Sequence, residues 1–271
     1  MPGTAAMNSP QAAGDRWRGF LTAYHRDHAG ITETLLDRAT RPGVGTPYDW
    51  LRSGVPGKPD RVVDLACGSA PMNRYFAQPT DYLGIDVSRG ELEVALARRR
   101  GPLVEANVLD LPLPDSCTDV VICSMAIMLL EPIERALSEI ARVLRPGGRF
   151  ISTRPVTWPI RVRDVRVGVE LFRGLRQMPE LPQRFTRSGL SRLQASVGLS
   201  VTDDRALRFT HPLHDASDAA CIVEGLYLPT VDPNHRRAAV ERLSNLAGPT
   251  RAVPVSIRRT VAIRSISRCP S

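Results

Sequence analysis

Short apolar runs alternate with longer amphipathic stretches along most of this chain. Val62, Val63 and Leu65 form the first run, and Tyr82–Val87 the second. Further strand-like runs cover residues 102–107, 120–124, 149–154, 200–209 and 253–266. The run at 120–124 is apolar without alternation, which predicts a central strand buried on both faces. Between the runs the period changes to that of a helix: Ile133, Leu137, Ile140 and Leu144 fall on one stripe of residues 132–144. Arg145-Pro-Gly-Gly148 ends that helix by removing a donor and allowing left-handed backbone. Other helices are predicted over Met72–Phe76, Glu91–Arg99, 186–197, 216–227 and 233–246. Ser88 is the expected N-cap of the second of these, with Glu91 completing a capping box. Strands alternating with helices predict the α/β class.

Two stretches lie outside that alternation. Residues 1–14, rich in Pro, Gly, Ala and Ser, predict a disordered tail. Helical patterns follow at Trp17, Phe20, Leu21 and Tyr24, with His25 and His28 close behind, and at Ile31–Ala39. A third starts at Thr46, an N-cap, with Pro47 at the first helical position. After the fifth strand, Arg161-Val-Arg-Asp-Val-Arg-Val and Val169–Met178 predict an amphipathic, basic, helical cap.

The first strand runs into Ala66-Cys67-Gly68-Ser69-Ala70, a turn of small residues that leaves room for a ligand against the backbone. Gly68 tolerates positive φ at no steric cost. Asp64 sits near the carboxyl end of the strand, where open α/β sheets bind ligands. Asp86, 22 residues on, ends the second strand at a spacing that suits a carboxylate accepting both hydroxyls of a ribose.

Asp-Leu-Ala-Cys-Gly-Ser-Ala, Gly84-Ile-Asp-Val and Arg142-Val-Leu-Arg-Pro-Gly-Gly resemble class I S-adenosylmethionine (SAM)-dependent methyltransferases of the UbiE-like, type 11 kind. The resemblance covers about residues 58–155. It implies a Rossmann-like, doubly wound, seven-stranded sheet with an antiparallel last strand, and SAM as cofactor. It also implies a division of the chain: 15–57 an N-terminal helical lid, 58–155 the cofactor-binding half, 156–185 a cap insertion, and 186–271 the rest of the same domain. The expected cofactor contacts are Asp64, Ala66, Cys67, Gly68, Ala70, Asp86, Val87, Asn107, Val108 and Ser124. Relatives commonly carry an acid where Asn107 stands, and a second glycine where Ala70 stands; the turn is therefore expected to avoid positive φ at Ala70.

Composition narrows the reading. At 271 residues the chain suits one large domain. Its longest apolar run, Val120–Leu130, is too short to span a bilayer and is interrupted by Ser124. The N-terminus lacks a basic segment followed by an apolar one, so a cytoplasmic location and no membrane partner are expected. Cysteines 67, 117, 123, 221 and 269 form no CxxC pair and no metal-like cluster with histidine, so no metal is expected. The net charge of +8 is carried almost wholly by arginine, with Lys58 the single lysine. That charge admits RNA as a partner, but no RNA-binding module accompanies it.

For methyl transfer the enzyme must chiefly align nucleophile, methyl carbon and sulfur. A base is needed when the acceptor stays protonated near neutral pH. The run after the fourth strand, Ser124-Met-Ala-Ile-Met-Leu-Leu130, contains no efficient base and predicts an apolar wall. His211 and His214, after the sixth strand, are the expected catalytic pair, with His25 and His28 of the lid as alternatives. Tyr24, His25, Tyr48, Trp50, Met125 and Arg154 are the expected substrate contacts. Three functions fit: methylation of a small-molecule acceptor, which is preferred; methylation of rRNA or tRNA; and SAM binding without methylation, for a cyclisation or for regulation. The sequence assigns no oligomeric state.

Overall fold

The computed structural model describes residues 10–76 and 82–266. The tail to residue 9, Arg268 and Cys269 lie outside the described residues. Helix α1 (Pro10–Asp27) begins inside the stretch expected to be a disordered tail. Helices α2 (Ile31–Arg38) and α3 (Pro47–Arg52) follow. Thr46 caps α3 as expected: its side chain accepts from Asp49 N while the Asp49 carboxylate accepts from Thr46 N.

The sheet comprises β1 (Val62–Leu65), β2 (Tyr82–Asp86), β3 (Leu103–Glu105), β4 (Thr118–Ser124), β5 (Leu144–Pro155), β6 (Leu199–Pro212) and β7 (Ala252–Arg264). Their order is β3-β2-β1-β4-β5-β7-β6, with β7 antiparallel to both neighbours and the other pairs parallel. The intervening helices are α4 (Arg89–Ala97), α5 (Ile133–Val143), α6 (Val165–Leu175), α7 (Arg187–Ser196), α8 (Ala216–Glu224) and α9 (Pro233–Ser244). Where an α-helix is expected after β1, the chain makes a short 3₁₀ helix, Pro71–Tyr75.

Alternate strand residues feed two cores. Val63, Leu65, Val121, Cys123 and Phe150 pack with the α5 stripe and Leu190 of α7. Val62, Val120, Ile122 and Ile151 pack on the other face with Leu36, Tyr48, Trp50 and Leu92. The β6–β7 hairpin outruns its neighbours. Pro155, the last residue of β5, is level with Ile257 and hence Leu207, and β6 continues to Pro212. A third core forms around that extension from α6, α8 and α9, including Leu175, Leu213, Ile222, Leu243 and Val253. No helix among the described residues is long and apolar enough to cross a membrane.

Candidate functional site

The carboxyl ends of β1, β2 and β4 meet at one edge, and the expected cofactor residues meet there with them. Asp86 is buried with both oxygens held by backbone: Oδ2 accepts from Gly68 N at 2.7 Å and Oδ1 from Ser88 N at 2.8 Å. Those two bonds tie the turn after β1 to the turn after β2. Each oxygen keeps a free lone pair for a ligand hydroxyl. Burial raises the Asp86 carboxyl above its ordinary range, and the two N–H donors oppose that rise.

The capping box expected at Glu91 does not form. Ser88 N is already taken by Asp86, so the Glu91 carboxylate turns outward to the first helices, accepting from Gly30 N at 3.0 Å and standing 3.0 Å from His25 Nδ1. Ser88 Oγ still accepts from Glu91 N.

Ala70 overturns a second expectation. It stands at φ 53°, ψ 49°, in the left-handed region. Pro71 disfavours the right-handed helical region for the residue before it. The chain must nevertheless reverse there, since Ala70 N donates to Cys67 O and Ala70 O accepts from Asn73 N. Ala66 (φ 50°) and Met125 (φ 56°) share this backbone, each at a strand's carboxyl end. Such positions cost roughly 1–2 kcal/mol apiece and cluster where function holds the backbone. In Ala70→Gly, relief of that cost should offset the buried methyl lost and the added chain entropy, giving a net change within about 1 kcal/mol. Ala136→Gly, in the buried interior of α5, should cost about 2 kcal/mol. Thermal melts of the two variants compare them directly, and equal losses would show that Ala70 carries no backbone strain.

Asp64 is fully buried. Its Oδ2 accepts from the Tyr82 hydroxyl at 2.8 Å, while Oδ1 has no partner. Burial pushes its carboxyl up to about 7, against the opposing Tyr82 bond. An unpartnered carboxylate oxygen at a ligand edge fits a cationic group, and SAM carries an α-ammonium. The fit extends to the backbone at Gly68, where an added Cβ would meet nothing closer than 3.6 Å. Val87, 70 % exposed, offers an apolar surface beside Asp86. Asn107 Oδ1 accepts from Leu109 N at 2.9 Å, so its carbonyl is already engaged once within its own turn. Val108 is buried. Cys67 and Cys123 are buried thiols pushed up by desolvation, and Ser124 Oγ lies 3.4 Å from Thr153 Oγ1.

Met125 N donates to Thr153 O, and Ala126, Ile127 and Met128 are buried behind it. Arg154, level with this edge on β5, is buried, its Nε has no partner, and its neighbours are Arg258 and Asp204. Asp204 is itself held by Arg258 at 2.6 Å and Arg187 at 2.8 Å.

The aromatic candidates divide. Tyr24 and His25 converge with Tyr227, a residue the sequence did not single out: the tyrosine rings are 4.9 Å apart, and the Tyr227 hydroxyl is 3.4 Å from His25 Nε2. The Tyr24 hydroxyl donates to Glu224 O. His25 also acts on the charge of Asp86. Tyr48 and Trp50 pack into the core, Tyr48 under Arg74 and Trp50 between Arg259 and Phe209.

His211 lies within β6, past the level where β5 ends. Its Nδ1 donates to Pro212 O at 2.7 Å, its buried Nε2 has no partner, and the charges acting on it are Arg38, Asp218 and His214. Burial lowers its pKa. His214 is exposed, with its backbone N on Asp218. Glu33, another residue without a sequence signal, is buried and binds Ser69 Oγ at 2.6 Å, Arg100 at 2.7 Å, and Arg98. The described residues hold no metal-binding cluster. A cavity of about 670 Å³ opens at the opposite ends of the strands, beside Arg61, Tyr82 and Thr118.

Known proteins resemble this chain in sequence and in fold. Residues 63–152 match the model of the methyltransferase domain family. Demethylmenaquinone methyltransferase of Symbiobacterium thermophilum is 38% identical over 103 residues, covering 34% of this chain and 41% of that one. Malonyl-[acyl-carrier protein] O-methyltransferase of Methylococcus capsulatus is 37% identical over 99 residues, covering 34% and 36%. The matched segments thus span less than half of either relative. Geranyl diphosphate C-methyltransferase of Streptomyces coelicolor A3(2), solved with S-adenosyl-L-homocysteine, shares the fold at a TM-score of 0.53 and 15% identity, over 92% of this chain and 97% of that one.

Proposed function

We propose that this chain, whose residues 63–152 are a class I, UbiE-like, SAM-dependent methyltransferase domain, transfers a methyl group to a small-molecule acceptor. The observation that carries the proposal is the pair of buried carboxylates at one sheet edge, Asp86 with spare lone pairs and Asp64 with an unpartnered oxygen. Both relatives are named for methyl transfer to small or carrier-bound acceptors, which supports the class. When bound, SAM supplies an electrophilic methyl group on a sulfonium.

The chain's own residues do the rest. Asp86 would hold the ribose hydroxyls, Asp64 the α-ammonium, and the backbone of Ala66–Ala70 would allow close approach. Val87 would flank the adenine, and the wall at Met125–Met128 would exclude water from the reacting centre. For an acceptor that must lose a proton we assign the base to His25 in preference to His211 and His214. Nδ1 of His25 faces Glu91, which fixes the tautomer and leaves Nε2 as the acceptor. His211 lies in β6 past the level where β5 ends, and the charges acting on it are Arg38, Asp218 and His214 rather than Asp86 or Asp64. Residues 10–57 would act as the lid that carries His25.

The test is transfer of labelled methyl from SAM to a panel of quinols, phenols and carboxylic acids, for wild type, His25→Ala and His211→Ala. Activity that survives His25→Ala but not His211→Ala would reverse the assignment of the base. Binding of SAM with no transfer to any acceptor would favour a non-methylating role.

Asp64 gives a pH signature. Its folded pKa, about 7, exceeds the unfolded value of about 3.9, so the unliganded protein loses stability as pH rises between them. A cation beside Asp64 favours the ionised form, so binding should release a proton and tighten with pH, by up to about tenfold per unit, until about 7. Calorimetry in two buffers of different ionisation enthalpy reads that proton, and Asp64→Asn should abolish it. Affinity independent of pH across this range would remove Asp64 from the ammonium site.

A further inference from the structure

Among the described residues, ten large apolar side chains stand exposed, and seven of them fall between Trp158 and Met178. Val162 is 91 % exposed, Trp158 67 % and Phe172 50 %, with Ile160, Val165, Val169 and Met178 alongside. Along α6, Val165, Val169 and Phe172 follow i, i+4, i+7 spacing and make one continuous stripe. This stripe is not the face that packs the helix onto the domain. Val167, Leu171 and Leu175 do that, and at Gly174 an added Cβ would come within 2.3 Å of Ala239 Cα in α9. The helix is therefore apolar on two sides, and only one of them is covered.

The surround of the open stripe is cationic. Arg161, Arg163, Arg166, Arg173 and Arg176 border it. Two acids of the same segment are already neutralised: Asp164 by Arg208 at 2.7 Å, and Glu170 by Arg173 and Arg242, each at 2.9 Å. Arg161, Arg166 and Arg176 carry no ion pair among the described residues.

We propose that this face of the cap, Trp158 to Met178, docks on a bilayer surface bearing anionic lipid headgroups. An interfacial helix of this kind buries an apolar stripe at the headgroup boundary while its arginines meet lipid phosphates. Eleven residues of helix reach about 16 Å, too short to cross the hydrocarbon, so the helix lies in the plane of the surface. A second copy of the chain suits the stripe less well, because a two-fold contact would set the same arginines against one another. The apolar residues here are spaced for a helix rather than run together, so they make an interfacial stripe and not the spanning run on which the expectation of no membrane partner rests. The proposal does not depend on methyl transfer.

The experiment is sedimentation of the 271-residue chain with vesicles of phosphatidylcholine alone, and with vesicles of equal parts phosphatidylcholine and phosphatidylglycerol. Val169→Asp, Phe172→Asp and Arg166→Glu are run in parallel, with light scattering of each protein without vesicles. All three sites are exposed, and unchanged circular dichroism and melting would confirm intact folds. Wild type should partition at least about tenfold more strongly onto the anionic vesicles, and lose most of that in high salt. Val169→Asp or Phe172→Asp should remove about tenfold, and Arg166→Glu should weaken binding to anionic vesicles only. Failure of the folded wild type to bind anionic vesicles would overturn the proposal. So would binding that survives both aspartates, or a dimer that Phe172→Asp dissociates and vesicles leave untouched.

Discussion

Asp86→Ala should abolish measurable SAM binding while leaving a folded protein. Hydrogen bonds to a charged acceptor contribute about 1.5–3 kcal/mol each, so losing two to the ribose predicts a fall in affinity of roughly 100- to 20,000-fold. The loss is compounded because the same carboxylate holds Gly68 N and Ser88 N, and without it both turns relax. Asp86→Asn separates the two effects. An amide keeps the shape and one acceptor, but its NH₂ must then face one of those backbone N–H groups, so an intermediate loss is expected. Calorimetric titration with SAM and with its demethylated product measures each variant. Undiminished affinity in Asp86→Ala would mean that the ribose carboxylate lies elsewhere, and would remove the observation on which the proposed function rests.

Glu33→Ala should give the largest loss of stability of the substitutions considered. Glu33 is buried in α2, yet its carboxylate binds Ser69 in the turn after β1, and Arg98 and Arg100 after α4. Removing one partner of a buried charge cluster typically costs 3–5 kcal/mol. Arg98 is 39 % exposed and can turn to water, which lowers the expectation to about 2–4 kcal/mol, or a fall in Tm of roughly 4–16 °C. The effect should also depend on pH. Burial alone would raise the Glu33 carboxyl, but the bonds from Arg100 and Ser69 overcome it and hold the carboxyl below its ordinary value. A depressed folded pKa stabilises above the unfolded value of about 4.3 and loses that contribution as pH falls through the folded one. Melts of wild type and variant should therefore converge in acid and separate near neutral pH. Coincident melts at neutral pH would show that the cluster contributes nothing. Because Ser69 belongs to the cofactor turn, SAM affinity should weaken as well, by about tenfold.

These two carboxylates mark what could be read without coordinates. Asp86 was legible because it ends an apolar strand at a fixed distance from a small-residue turn. Glu33 was not, because nothing within α2 distinguishes it from a solvated acid; it becomes significant only when α2 is laid against the turn after β1. Glu91 shows a local rule overruled. Its spacing from Ser88 predicts a capping box, but Asp86 claims the donor that the box requires. The histidines show the reverse. A strand predicted to stop at Phe209 puts His211 just past its end, whereas β6 extends to Pro212 by pairing with β7 and leaves the His211 ring enclosed.

The sequence by itself determined the α/β alternation, the helical segments before β1 and after β5, the turn after the first strand and the acid ending the second. Each depends on hydrophobic period, capping or glycine chemistry acting over a few residues, and that information is local. Only the tertiary structure decided which distant polar groups meet: Glu33 with Ser69 and Arg100, and His25 with Glu91 and Tyr227. It also decided the left-handed backbone at Ala70 and which apolar side of α6 stays uncovered. Those outcomes follow from strand order and from the cost of burying an unpaired charge, and both are properties of elements packed together rather than of any one segment.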